Sequence, residues 1–387
     1  MQHTARTILI LCDGTSNQIS GHRSNILRLY GTLTKSPDQL VYYDPGVGTF
    51  EAGNAWSEIY RKIHVVWGMA TGWGIDRNVL EAYAFLVQNL TGVPDEKLPE
   101  VKLVFAGFSR GAYTVRVLAG FLTAFGLLKP ENLNLLPSAY QAYKRLGRAI
   151  GGPFEGTRAA FEGLAFFRRM TQPRALPVAA LALFDTVSSV VEPNGFRLVL
   201  RKHAYTASNP GVRAVRHAVA IDERRRHYRP RLWDKGDFRP RAAPRQPQDV
   251  KEVWFVGAHG DVGGGYSETE SGLAKIPLHW MIEELKDLGV SFEQPLVNQL
   301  VLGRGKKKYA APDPIAQCHD EMRGIFRLLE YLPQKVAPKE PVTLRLAFGI
   351  AIPRPAPRTI PRHAVIHPSA EDRANQLPDY QPENLPR

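Results

Sequence analysis

Three side chains that could share one acyl-transfer reaction occur in the chain in the order Ser109, Asp185, His259. A serine hydroxyl is a weak nucleophile until a base takes its proton. An imidazole acting as that base needs a carboxylate to fix its tautomer. Ser109 lies in Gly107-Phe-Ser-Arg-Gly111, Asp185 opens Asp185-Thr-Val187, and His259 stands in Gly257-Ala-His-Gly-Asp-Val-Gly-Gly-Gly-Tyr266. Asp261 competes with Asp185 as the acid, but it shares a loop with His259, so its expected part is to order that loop. The oxyanion that such a reaction builds needs two N–H donors. One is expected from the backbone of Arg110, directly after the nucleophile. The other is expected from Gly14 or Thr15 in the early loop Asp13-Gly-Thr-Ser-Asn17. Asp13, like Asp261, is read as loop-ordering or as an alternative acid.

Each of these residues needs an element to place it. Leu103 to Ala106 is a short apolar run of the kind a strand buried on both faces shows. The G-x-S-x-G pattern follows at once, and then Ala112, Val115, Val117, Leu118, Phe121 and Leu122 predict a mostly apolar helix. Strand, sharp turn and helix would hold Ser109 in strained geometry with its hydroxyl exposed over a helix N-terminus. Val178 to Phe184 is a second buried strand delivering Asp185. Val253 to Val256 is a third, leading to His259, and Thr7 to Cys12 is one leading to Asp13. Leu40 to Tyr43 and Val212 to Ile221 add strands, and helices are expected over 75–87 and 273–288. His217 falls inside a strand, while His203, His227, His319 and His367 lack a strand-end setting.

The alternation predicts an α/β fold of one domain over 1–387: a doubly wound, mainly parallel sheet with helices on both faces. The serine–acid–histidine order makes it α/β-hydrolase-like. A helical pattern over 130–173 is expected to be a cap inserted near the active site, with ordinary layer helices the alternative. Residues 224–247 carry nine Lys/Arg among prolines and read as an exposed basic loop.

A net charge of +13 biases the protein towards anionic surfaces. With four prolines among Tyr228, Trp233 and Phe238, the basic run gives no regular stacking platform, so nucleic acid is not expected as a partner. No apolar run reaches membrane-spanning length. The apolar start, Ile8 to Cys12, is too short for a signal peptide, so synthesis in the cytoplasm is expected. Cys12 and Cys318 make no disulfide framework or zinc spacing, and no metal or cofactor is expected. Gly263-Gly-Gly265 lacks the frame of a phosphate cradle, and flexibility beside His259 is the simpler expectation.

Cys12-Asp-Gly-Thr-Ser-Asn17, Tyr43-Asp-Pro-Gly-Val-Gly-Thr49, Gly107 to Tyr113, Asp185 to Val187 and Gly257 to Tyr266 form an ordered set. The set resembles the α/β-hydrolase domain of type VI secretion phospholipase effectors. Ile366-His-Pro-Ser369 with Arg373, and Tyr380 to Pro386, are similar to that domain's closing segment. The resemblance implies a serine lipase or phospholipase with Ser109, Asp185 and His259 as its triad. It also implies a lipid or other acyl-ester substrate, peripheral contact with anionic membrane, export without a leader, and a secretion-machinery or immunity partner. No counterpart of the large membrane-anchoring region of the best-known effectors is expected in this sequence. The alternatives are a small-molecule esterase, thioesterase or acyltransferase, and, from another class, a non-catalytic basic module binding anionic surfaces or nucleic acid.

Overall fold

The structure, a computed structural model, describes residues 6–14, 22–46, 73–150, 154–187, 191–194, 197–200, 203–225, 228–234, 236–239, 245–305, 308–322, 334–335, 342–345, 350–353 and 356–385. Its centre is a sheet of seven strands: Thr7–Cys12 (β1), Gln39–Asp44 (β2), Lys102–Phe108 (β3), Val178–Phe184 (β4), Val212–Ala220 (β5), Asp249–Phe255 (β6) and Val365–Ile366 (β7). They pair in the order β7-β6-β5-β4-β3-β1-β2, and every pair is parallel. Parallel strands need a crossover between them, and helices supply most of these. The helices are Asn25–Thr32 (α1), Trp73–Asn89 (α2), Arg110–Ala124 (α3), Leu136–Ala149 (α4), Phe154–Thr171 (α5), His259–Gly263 (α6), Gly272–Asp287 (α7), Gln294–Leu300 (α8) and Ser369–Gln376 (α9).

The buried apolar runs are strands because both sheet faces are covered. All six residues of β1 are buried. Ile8, Ile10 and Cys12 join a core with α2, α3 and α4, whereas Leu9 and Leu11 join the opposite core with α1, α7 and α8. Helix α3 is buried at every position except Arg110 and Thr123, which explains its apolar composition. Helix α1 has no counterpart among the elements expected from hydropathy. Ser24 caps it, accepting from Leu27 N at 3.0 Å. The side-chain amide of Asn25 donates to Val262 O (2.9 Å) and Ala274 O (2.8 Å), tying α1 to α6 and α7.

The strand order reverses once, between β1 and β3. After β1 the chain goes outward to β2, then crosses back to β3 and continues to the far edge. Parallel sheets of this kind present a crevice at the carboxyl ends of the two strands flanking the reversal. Here those ends carry Asp13 and Ser109, and the register pairs Cys12 with Gly107 and Phe108 with Phe184, so the strand ends are level.

Two expectations meet a different structure. Over 130–173, Leu136, Ala139, Tyr140, Tyr143, Leu146 and Leu164 belong to the same core as α2 and α3. The end of α5 touches the end of α3 remote from Ser109, through Phe167 on Phe125 and Arg168 Nη1 donating to Ala124 O at 3.2 Å. These are the contacts of layer helices. The basic stretch 224–247 is not simply exposed: Arg225, Trp233 and Phe238 are buried. Its described parts form a strap anchored by these side chains, whose spacing is hidden in sequence by the arginines between them. Val342–Arg345 and Ile350–Pro353 pair in a small separate antiparallel sheet.

Candidate active site

Ser109 follows β3 directly, with φ 58° and ψ −120°, and stands at the N-cap of α3 without spending its hydroxyl on the cap. A non-glycine residue at positive φ is strained and persists only where the surroundings force it. Gly111 shows the force: a Cβ there would lie 2.1 Å from Cys12 O and 2.5 Å from Asp13 O, so the turn is pressed against the end of β1. Gly111→Ala should therefore lower stability by about 1–3 kcal/mol, because backbone rather than a mobile side chain must yield. A denaturant midpoint unchanged from wild type would contradict this packing.

Asp185 follows β4 in the same way, at φ 38°. It is fully buried, and its Oδ2 lies 2.5 Å from His259 Nδ1. His259 opens α6 four residues past β6, reaching over the end of β5, and its Nε2 lies 2.8 Å from Ser109 Oγ. Since a carboxylate only accepts, Nδ1 carries the hydrogen given to Asp185, and Nε2 accepts from the Ser109 hydroxyl. The result is a hydroxyl–imidazole–carboxylate relay able to take a proton from Ser109. The imidazole is held between Phe108 (centroids 4.7 Å apart) and the edge-on ring of Tyr228 (4.9 Å).

Burial alone would raise the Asp185 pKa. It is overcome by the Arg358 cation, then by the hydrogen bond and charge of His259, so the carboxyl sits well below its ordinary value. Arg358 donates from Nη1 to Oδ1 (2.5 Å) and from Nη2 to Oδ2 (2.9 Å), and Ala220 N adds a third donor to Oδ1 at 3.1 Å. Glu223 accepts from His259 N at 3.2 Å and is paired with Arg225. Sequence reasoning missed Arg358, Tyr228 and Glu223. Arg358 stands in a proline-rich stretch that reads as surface, and no spacing links it to Asp185.

Asp261 does not touch His259's ring. Its carboxylate accepts from Ala258 N (3.0 Å), His319 N (3.0 Å) and His319 Nδ1 (2.7 Å), fastening the loop to the 318–319 segment. Asp13 likewise ties its loop together: Oδ1 accepts from Gly14 N (2.7 Å), and Oδ2 accepts from Tyr43 OH (2.9 Å) and from the Ser24 hydroxyl. The Gly14 N–H is thus already donated, which corrects its expected part as an oxyanion donor, and Thr15 lies outside the described residues. Arg110 opens α3, whose first-turn N–H groups have no acceptor within the helix and carry its positive end. The triple glycine serves close packing: a Cβ on Gly263 would lie 1.8 Å from the Phe108 ring, which itself touches His259. Among the described residues no group of three or more His, Cys, Asp or Glu is arranged to hold a metal ion.

Fold and site together define an α/β protein with a serine–histidine–aspartate relay at the carboxyl edge of a parallel sheet. Residues 6–284 match the family described as "T6SS, Phospholipase effector Tle1-like, catalytic domain", and the chain belongs to that family. A curated relative, the uncharacterized protein YEL023C of Saccharomyces cerevisiae, is 27% identical over 232 residues, covering 57% of this chain and 32% of the relative. Two solved structures are similar. One is an uncharacterized protein from Pseudomonas aeruginosa, with TM-score 0.38, 19% identity, and coverage of 74% of this chain and 46% of that one. The other is the Tle1 effector bound to the VgrG spike of the type 6 secretion system, with TM-score 0.34, 18% identity, and coverage of 70% and 53%. The chain thus spans about a third of the curated relative and about half of each solved chain. No described helix is long and apolar enough to cross a membrane.

Proposed function

We propose that the protein is a serine ester hydrolase on an α/β-hydrolase-like scaffold, cleaving acyl esters of phospholipids or related lipids through an acyl-enzyme. The observation that carries this reading is the unbroken hydrogen-bonded series from Ser109 through His259 to Asp185, with Ser109 on a strained turn at a helix N-terminus. His259 Nε2 takes the proton as Ser109 Oγ attacks the ester carbon, and the carbonyl π pair moves onto oxygen. That oxyanion faces the Arg110 N–H and the positive end of α3. When the carbonyl re-forms, the bond to the alcohol breaks and the imidazolium gives its proton to the departing oxygen. Water, deprotonated by His259, then attacks the acyl-enzyme and releases the carboxylic acid and free Ser109.

Family membership supports phospholipid as the substrate class. The same membership, in a family of type VI effectors, supports leaderless export from the cytoplasm with a secretion-machinery partner. A fluorophosphonate should add to Ser109 alone, read as a mass shift on its peptide. Labelling of another serine, or of none in a protein that hydrolyses esters, would sink the mechanism.

The net charge of +13 supports contact with anionic bilayers. Phosphatidylglycerol vesicles should be hydrolysed faster than phosphatidylcholine vesicles at low salt, and the difference should collapse as salt screens it. Equal rates at low salt would remove the charge from this reading. Rapid turnover of soluble esters with no vesicle hydrolysis would favour a small-ester substrate.

A further inference from the structure

Asp185 is a carboxylate with no exposed surface, and such a charge is retained only where other groups replace its water. The imidazole supplies one hydrogen bond and Ala220 N another. The rest comes from Arg358, itself buried, whose two terminal nitrogens each take one carboxylate oxygen. This fork-to-fork pairing fixes the plane of the carboxylate, which a single point contact would leave free to turn. The guanidinium is fixed in turn by two backbone carbonyls: Nη1 donates to Ala220 O at 3.0 Å, and Nη2 donates to Tyr228 O. Tyr228 is also the residue whose ring meets the His259 imidazole edge-on. Arg358 lies beyond residues 6–284, so a segment outside the part matched to the family completes the surroundings of the relay.

We infer that Arg358 is a positioning residue of this site, a fixed cation that aims Asp185 at His259 and offsets part of the carboxylate's charge. The inference rests on the hydrolase reading above. An imidazolium is stabilised by the negative charge of Asp185, and a guanidinium sharing the same two oxygens neutralises part of that charge. Other charged and titratable groups face the pair and must be left in place by the test. Behind Asp185, His217 accepts from Thr186 N and pairs with Glu252. Beside His259 are Glu223 with Arg225 and, on Gly260 N, Glu321. Arg110 and Tyr228 lie on the side of the elbow and the strap.

The experiment compares the wild-type protein with Arg358→Gln and Arg358→Lys. The His259 ring is titrated by NMR, and kcat/KM on a soluble p-nitrophenyl ester is followed against pH. In Arg358→Gln the His259 titration and the acid limb of kcat/KM should both move up by about one pH unit or more. In Arg358→Lys the charge remains but the fork is lost. Its acid limb should stay within a few tenths of wild type while kcat falls about tenfold or more, as misaimed groups do. An unmoved His259 titration in folded Arg358→Gln overturns the electrostatic part. Wild-type kcat in Arg358→Lys overturns the positioning part, and that variant decides if Arg358→Gln fails to fold. Absence of ester hydrolysis in the wild type would count against the hydrolase reading alone, since the NMR titration reports on Arg358 without turnover.

Discussion

Ser109→Ala should lower ester turnover by about 10⁴ or more while leaving the thermal transition within a degree or two of wild type. The loss is large because the hydroxyl forms the covalent bond, and no neighbouring group can replace it. The fold should survive because the hydroxyl caps no helix and its hydrogen bond runs to His259 rather than to the scaffold. Relief of steric strain is not expected either, since an alanine in place of Ser109 would keep the same positive φ. Turnover within tenfold of wild type, measured on p-nitrophenyl esters with purified variant, would end the Ser109 mechanism.

His259→Ala should match that loss, and the double variant Ser109→Ala/His259→Ala should lose little beyond either one, because residues acting as a unit are not additive. Asp185→Asn should cost nearly as much, since an amide can present its NH₂ to Nδ1 and stabilise the wrong tautomer. Asp261→Asn separates the two carboxylates by kind of effect. Its oxygens accept three N–H bonds, so an amide leaves one donor facing another, at about 1–3 kcal/mol of stability. Turnover per folded molecule should remain within about tenfold of wild type. A crippled but stable Asp261→Asn beside an active Asp185→Asn would reverse the assignment of the acid.

What can be read from the sequence follows from burial. β1, β3 and β4 stand out because strands covered on both faces must be apolar at every position. The turn at Ser109 stands out because its glycines are demanded by backbone contacts such as Gly111 against Cys12 O. The parallel α/β sheet is therefore legible, as are the strand ends on which Ser109, Asp185 and His259 stand. The seventh strand is not, because Val365–Ile366 is two residues of edge pairing and leaves no periodic signal. Helix α1 is hidden because its stabilisation is polar: Ser24 at the cap, and Asn25 reaching across to α6 and α7. The strap is misread from sequence because charge suggests exposure, whereas Arg225 is buried against Glu223 and Glu321. The Gly14 donor fails for a local reason, since the neighbouring Asp13 carboxylate captures its N–H.

The reversal of strand order and the distance in sequence to Arg358 also bear on when, during synthesis, a working site can exist. Ser109 leaves the ribosome 249 residues (358 − 109) before Arg358. At 5–20 residues per second that interval is roughly 12–50 s. β3 can pair early with β1, but β4, β5 and β6 each join only after a further crossover, and pairings distant in sequence form slowly. A nascent chain therefore carries the Ser109 turn for many seconds without the imidazole, and for longer without the clamp on its carboxylate. A chain still lacking Asp185, His259 and Arg358 cannot carry out the proposed acyl transfer, so the proposed activity begins only when the sheet is nearly complete.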